Sequence, residues 1–160
     1  MVTFIHITDK NSEKQILRSG IKLVRRRSGI RGVYAMPVIP DFTTTHQWSR
    51  ELKRQPIRTL ICVQFKVPDE EPVLVGKYNG EKLQMTAAEA LGTILEHTDP
   101  MGLEVIFPRK IAPGEITRAY LAPRVTGWRY YPTAKGRKPC HCKWCNSGEI
   151  RAQRLIREDV

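Results

Sequence analysis

Apolar residues in this chain gather in short runs of strand length, and only a few segments show a helical repeat. The run at 2–7, VTFIHI, reads as a buried strand, and 58–67, RTLICVQFKV, is the clearest strand of all. Shorter runs at 33–36, 72–78, 103–107 and 115–122 read the same way. Asp99-Pro100 with Gly102, and Ala112-Pro113-Gly114, supply the turns before the last two. A helix is expected from Asp9 to Arg18, with Ile16 and Leu17 apolar and Gly20 as its stop. Pro37 and Pro40 end one strand and lead into an expected helix from Thr43 to Arg54. The segment 85–97 has helical spacing, with Ala88, Leu91 and Leu95 on one face, and a final helix is expected near 149–158. Strands dominate the middle and helices do not alternate with them, so the expected class is α+β.

Charge adds a second layer. The 160 residues carry 27 Lys+Arg against 16 Asp+Glu, a net of +11, and 41% of them are hydrophobic. That length suits one core-bearing domain. Residues 124–160 hold nine Lys/Arg against three acids, a net of +6, so a core domain over 1–123 and a basic extension over 124–160 are expected. With Arg25-Arg26-Arg27 and Arg31, this charge favours a polyanionic partner, DNA or RNA, over a merely solvated surface. No apolar run reaches membrane-spanning length, so no membrane partner is expected. The N-terminal residues lack a basic region followed by a long apolar stretch, so the expected compartment is the cytoplasm.

Three distant segments carry candidate chemistry: FIHIT at 4–8, RGVYAMP at 31–37 and GLEVIFP at 102–108. On neighbouring strands, His6 could grip a ribose, Tyr34 could stack a flat heterocycle, and Glu104 could stabilise a cationic sugar. The flanking residues sharpen this. His6-Ile7-Thr8 is followed by Ile16-Leu17-Arg18-Ser19-Gly20-Ile21, then Gly32-Val33-Tyr34-Ala35, then Glu104-Val105-Ile106-Phe107. In this order and over roughly residues 3–122, the chain resembles the ADP-ribosyltransferase superfamily, on its His–Tyr–Glu branch of diphtheria-toxin and poly-ADP-ribose-polymerase type.

The resemblance implies a split β-sheet core with flanking helices, NAD as substrate, and catalysis by His6, Tyr34 and Glu104. It implies that His6, Ile7, Thr8, Arg31, Tyr34 and Trp48 contact NAD. Ile7 stands where the family often has glycine, so its backbone would bind the carboxamide while its side chain narrows the approach. The family's second aromatic clamp is usually a tyrosine; here Trp48 is the nearest substitute. Thr8 could instead cap the following helix.

Cys140, Cys142 and Cys145 form a separate C-x-C-x-x-C cluster. Three thiols so close together suggest a structural zinc, whose fourth ligand would come from Cys62, His46 or His97; free thiols are the alternative. The leading functional reading is transfer of ADP-ribose from NAD to a macromolecular acceptor, nucleic acid ahead of protein. An RNA 2′-phosphotransferase of the same superfamily and a non-catalytic basic nucleic-acid-binding protein are the competing readings.

Overall fold

The computed structural model describes residues 1–25, 30–53, 57, 59–78, 80–124, 128, 137–139 and 155–157. Its centre is one eight-stranded antiparallel sheet. The strands are β1 (Val2–Asp9), β2 (Val24–Arg25), β3 (Arg31–Pro37), β4 (Leu60–Val67), β5 (Pro72–Lys77), β6 (Leu83–Thr86), β7 (Leu103–Phe107) and β8 (Ile116–Leu121). Their order is β6-β5-β7-β3-β1-β4-β8, with β2 paired to β3. The helices are α1 (Glu13–Ser19), α2 (Phe42–Thr45), α3 (Ser49–Leu52) and α4 (Ala87–Glu96). This is the α+β class expected from the patterning.

The sheet is unevenly laddered. β1 and β4 pair along their whole length, from Val2↔Val67 to Asp9↔Leu60. β1 and β3 pair only at Phe4↔Pro37 and Ile5↔Met36. Beyond those two pairs lies a seam. The seam is backed by buried aromatic packing: Phe4 lies 5.0 Å from Phe107 and 6.0 Å from Phe65, and Phe65 lies 5.3 Å from Phe107. All three rings are fully buried. They belong to β1, β4 and β7, so packing in this cluster adds to the short β1–β3 ladder in joining the two halves of the sheet.

Local chemistry explains most element ends. Gly20 stops α1 with φ +81°, donating its N–H to the Ile16 carbonyl. The turn before α1 is capped by Asp9, which accepts from the Asn11 N–H at 2.8 Å, so the cap falls one residue later than Thr8. Thr8 is instead held in β1 opposite Ile61. The helix expected over 43–54 is two single-turn pieces, α2 and α3. Asp41 caps the first through the N–H groups of Thr43 and Thr44, and Thr45 turns its hydroxyl to the Pro37 and Ile39 carbonyls. Side chains that bond locally in this way compete with a continuous helix.

α4 begins where Thr86 and Glu89 form a reciprocal capping box, with Glu89 accepting from the Thr86 N–H at 2.7 Å. The buried face is therefore Ala87, Ala90 and Ile94. The face expected from spacing, Ala88, Leu91 and Leu95, lies one residue off, and Leu95 is 53% exposed. Both sets share the same i, i+3, i+7 spacing, so only the cap and the strand before it decide the phase. Of the final helix expected near 149–158, the described residues Leu155–Arg157 form a strand, paired antiparallel with Arg137–Pro139. Three residues carry no periodicity of their own; the partner strand decides their state. No described helix is long and apolar enough to cross a membrane.

Candidate active site

A cleft opens beside the seam, lined by Ile5, Ile7, Tyr34, Ala35, Met36, Trp48, Leu52 and Glu104. Tyr34, Trp48 and Glu104 come from three separate stretches of chain. The remaining walls are aliphatic or thioether groups, which gives a concave, largely apolar site with few polar groups, the usual make-up of a small-ligand pocket.

Glu104 sits in the fully buried strand β7 and is 5% exposed. Its Oε2 lies 3.2 Å from Lys82 Nζ, and the two side chains are only 6% and 4% exposed. The local backbone makes this possible. Gly76 is the register partner of Glu104, and a Cβ there would stand 2.1 Å from the Glu81 carbonyl oxygen. Lacking that Cβ, β5 lets residues 81–82 fold across it and deliver Lys82 to the carboxylate.

Trp48 is fixed on the same strand. Its indole Nε1–H donates to the Leu103 carbonyl at 3.0 Å, one residue before Glu104. Trp48, Tyr78 and Trp128 then form an aromatic cluster, with ring centroids 4.7 to 5.7 Å apart. Gln47, fully buried, supports this corner: its Oε1 accepts from the Gly102 N–H at 2.6 Å, and its backbone carbonyl accepts from the Trp128 N–H at 2.7 Å.

Tyr34 reaches the cleft from β3, and its hydroxyl donates to the Ile30 carbonyl at 3.1 Å. Gly32, two residues earlier, has a packing reason. A Cβ there would meet Ile106 Cγ2 at 2.3 Å and the Phe107 carbonyl oxygen at 2.8 Å, so glycine lets β3 lie close against β7.

His6 does not line the cleft; strand alternation gives that face to Ile5 and Ile7. It stands at the seam instead, with Nδ1 2.8 Å from the Tyr34 carbonyl. A carbonyl only accepts, so Nδ1 carries the hydrogen, and in the neutral ring Nε2 is then the acceptor. This side-chain bond spans β1 and β3 where their ladder has ended. Among the other expected cofactor contacts, Ile7 lines the cleft, while Thr8 and Arg31 do not. Arg31 is exposed, opposite Arg25 on the β2–β3 hairpin.

Cys140, Cys142 and Cys145 lie outside the described residues. Among those described, no group of three or more His, Cys, Asp or Glu is placed to hold a metal ion. All three suggested fourth ligands already take part in hydrogen bonds. The fully buried Cys62 thiol is pushed up to about 12 by burial, though its hydrogen bond with Tyr120 pulls the other way. His46 is bonded through Nδ1 to the Phe42 carbonyl at 2.9 Å and through Nε2 to the Tyr120 hydroxyl at 3.4 Å. His97 Nδ1 accepts from the Asp99 N–H at 3.0 Å.

Sequence reading missed Lys82 and Gln47. A lysine in a polar turn carries no mark of burial. Gln47 left a faint one, since it lies in a polar stretch between two apolar strands. No family model, no curated protein and no solved structure matches this chain.

Proposed function

We propose that the chain is an NAD-dependent ADP-ribosyltransferase that transfers ADP-ribose to a macromolecule. The observation that carries this reading is the convergence of Tyr34, Trp48 and the buried Glu104 on one apolar cleft beside the seam. Two aromatic side chains suit a flat nicotinamide ring, and a buried carboxylate suits the positive charge that grows on the ribose as nicotinamide leaves. In this reading the C1′–nitrogen bond breaks and its electron pair goes to the ring nitrogen, so nicotinamide departs neutral. An acceptor oxygen or nitrogen then bonds to C1′ and gives its proton to Glu104 or to water. His6, acting from the seam, accepts a hydrogen bond from a ribose hydroxyl through Nε2. Catalysis of this kind rests on fixed charge and a rigidly held sugar.

The net charge of +11, and the +6 carried by 124–160, favour nucleic acid over protein as acceptor. A structural zinc on Cys140, Cys142 and Cys145 would serve to fold that extension and takes no part in the chemistry.

The test is incubation of the full chain with NAD labelled in its adenylate half, together with DNA, RNA and protein, measuring nicotinamide release and label transfer. Release with label on nucleic acid is the expected result. Glu104→Gln should cut the rate about 100- to 1,000-fold, the cost typical of losing one charge-stabilising group. Consumption of NAD only with 2′-phosphorylated RNA would point to the phosphotransferase. Salt-sensitive nucleic-acid binding without NAD turnover would point to the non-catalytic reading.

A further inference from the structure

Lys82 lies outside the three segments that suggested the site, yet it places a cation against the buried carboxylate. Its Nζ contacts Glu104 Oε2 at 3.2 Å and also donates to the carbonyls of Lys77 and Gly80. Two of the three ammonium hydrogens go to these backbone carbonyls, which fixes the charge beside the carboxylate. Lys77 anchors the same turn from the other side, donating to the Met101 carbonyl at 2.7 Å and pairing with Asp99 at 3.2 Å. The turn between β5 and β6 is thus tied down at both lysines, and its position over Gly76 is set by backbone contact.

A carboxyl group buried in an apolar cleft drifts towards its neutral form, which cannot stabilise a cation. An opposite charge within about 4–6 Å reverses that drift. We propose that Lys82 is the positioning residue for Glu104: it holds the carboxylate ionised and fixed in the cleft, and so sets the lower pH limit of the reaction. This rests on the transferase reading for its functional half, while the ionisation of Glu104 stands on the geometry alone. Other titratable groups stand on the elements packed around Glu104. Tyr34 on β3 donates to Ile30, His6 at the seam is bonded to Tyr34, and Lys77 on β5 is bonded to Asp99 and Met101. Tyr78 follows β5 and contacts Trp48, and Arg50 and Glu51 lie on α3, which Trp48 precedes.

The test compares the full chain with Lys82→Met and with Lys82→Gln, whose amide can still donate to the Lys77 and Gly80 carbonyls and so guards against a folding failure. Two quantities are followed. One is the Glu104 carboxyl titration by carbon-13 NMR, assigned by its loss in Glu104→Gln; the other is the pH profile of nicotinamide release. Both variants should raise the Glu104 titration and the acid limb of the profile by about 1–3 pH units. The rate should fall at least about tenfold at the wild-type acid limb and recover at higher pH, with kcat changing more than KM. A lysine that merely braced the turn would lower the melting temperature and leave both titrations where they were; that result overturns the proposal. If the wild type releases no nicotinamide at any pH, the transferase reading fails, and the NMR shift still decides whether Lys82 holds Glu104 ionised.

Discussion

The two neighbours of β1 meet it in opposite ways. Against β4 it forms an uninterrupted ladder from Val2↔Val67 to Asp9↔Leu60, and β4 buries Leu60 to Val63, Phe65 and Val67. Against β3 the ladder stops after two pairs, and the cleft opens there. The difference is one of composition as well as pairing. The β1–β4 side is filled by Ile, Val and Phe, with His46 and Cys62 each bonded to Tyr120. The seam side holds a histidine bonded to a backbone carbonyl, an aromatic ring and a buried carboxylate with its lysine. A closed junction supplies rigidity; an interrupted one leaves concave space on a rigid frame, which is where ligands can be held.

The largest effect should come from the closed side. Phe65→Ala removes a ring that touches both Phe4 and Phe107, and it should cost about 3–5 kcal/mol of unfolding free energy in a denaturant titration. Folded protein that remains should keep its affinity for NAD. A large loss of affinity beyond the unfolded fraction would mean that the closed side shapes the cleft directly. Next in size, Tyr34→Ala should weaken NAD binding by about 1–3 kcal/mol, the usual value of one aromatic stacking partner, read by calorimetry. Tyr34→Phe should lose much less, because it keeps the ring and gives up only the bond to Ile30. Equal losses in the two variants would show that the hydroxyl, and not the ring face, does the binding.

The smallest effect concerns His46, on the closed side, whose pKa is lowered by burial against a weaker opposing bond to the Phe42 carbonyl. Because the folded chain resists protonating this ring, the unfolded chain binds the proton first as the pH falls. Stability contributed by neutral His46 is complete above the ordinary histidine value of about 6.5 and should decline below it, by at most about 1.4 kcal/mol per pH unit. His46→Gln should flatten that slope in unfolding titrations at pH 5 to pH 7. An unchanged slope would show that His46 is not the group that sets it.

Much of this frame was legible before any coordinates. The strands at 2–7, 33–36, 58–67, 72–78, 103–107 and 115–122 all form, with ends moved by one or a few residues, because alternating and continuous apolar runs have few other ways to be buried. The stop at Gly20 was equally plain, since φ +81° suits glycine. The 43–54 segment misled because a run of threonines can bond locally and break the helix that its length suggests. α4 misled because two faces one residue apart have equal spacing, although Thr86 and Glu89 carried the capping signal that sets the phase.

Taken alone, the sequence determined six of the strands, the stop at Gly20, and that the charge is strongly basic. These follow from local periodicity and side-chain identity, which act within a few residues. Tertiary structure alone decided that β1 parts from β3 after Ile5, that His6 takes the seam while Ile7 faces the cleft, and that Lys82 lies buried against Glu104. Those outcomes depend on which strands become neighbours and on two close backbone approaches, at Gly32 and Gly76, between residues far apart along the chain. No local pattern records such contacts, because their energies exist only once the sheet has closed around them.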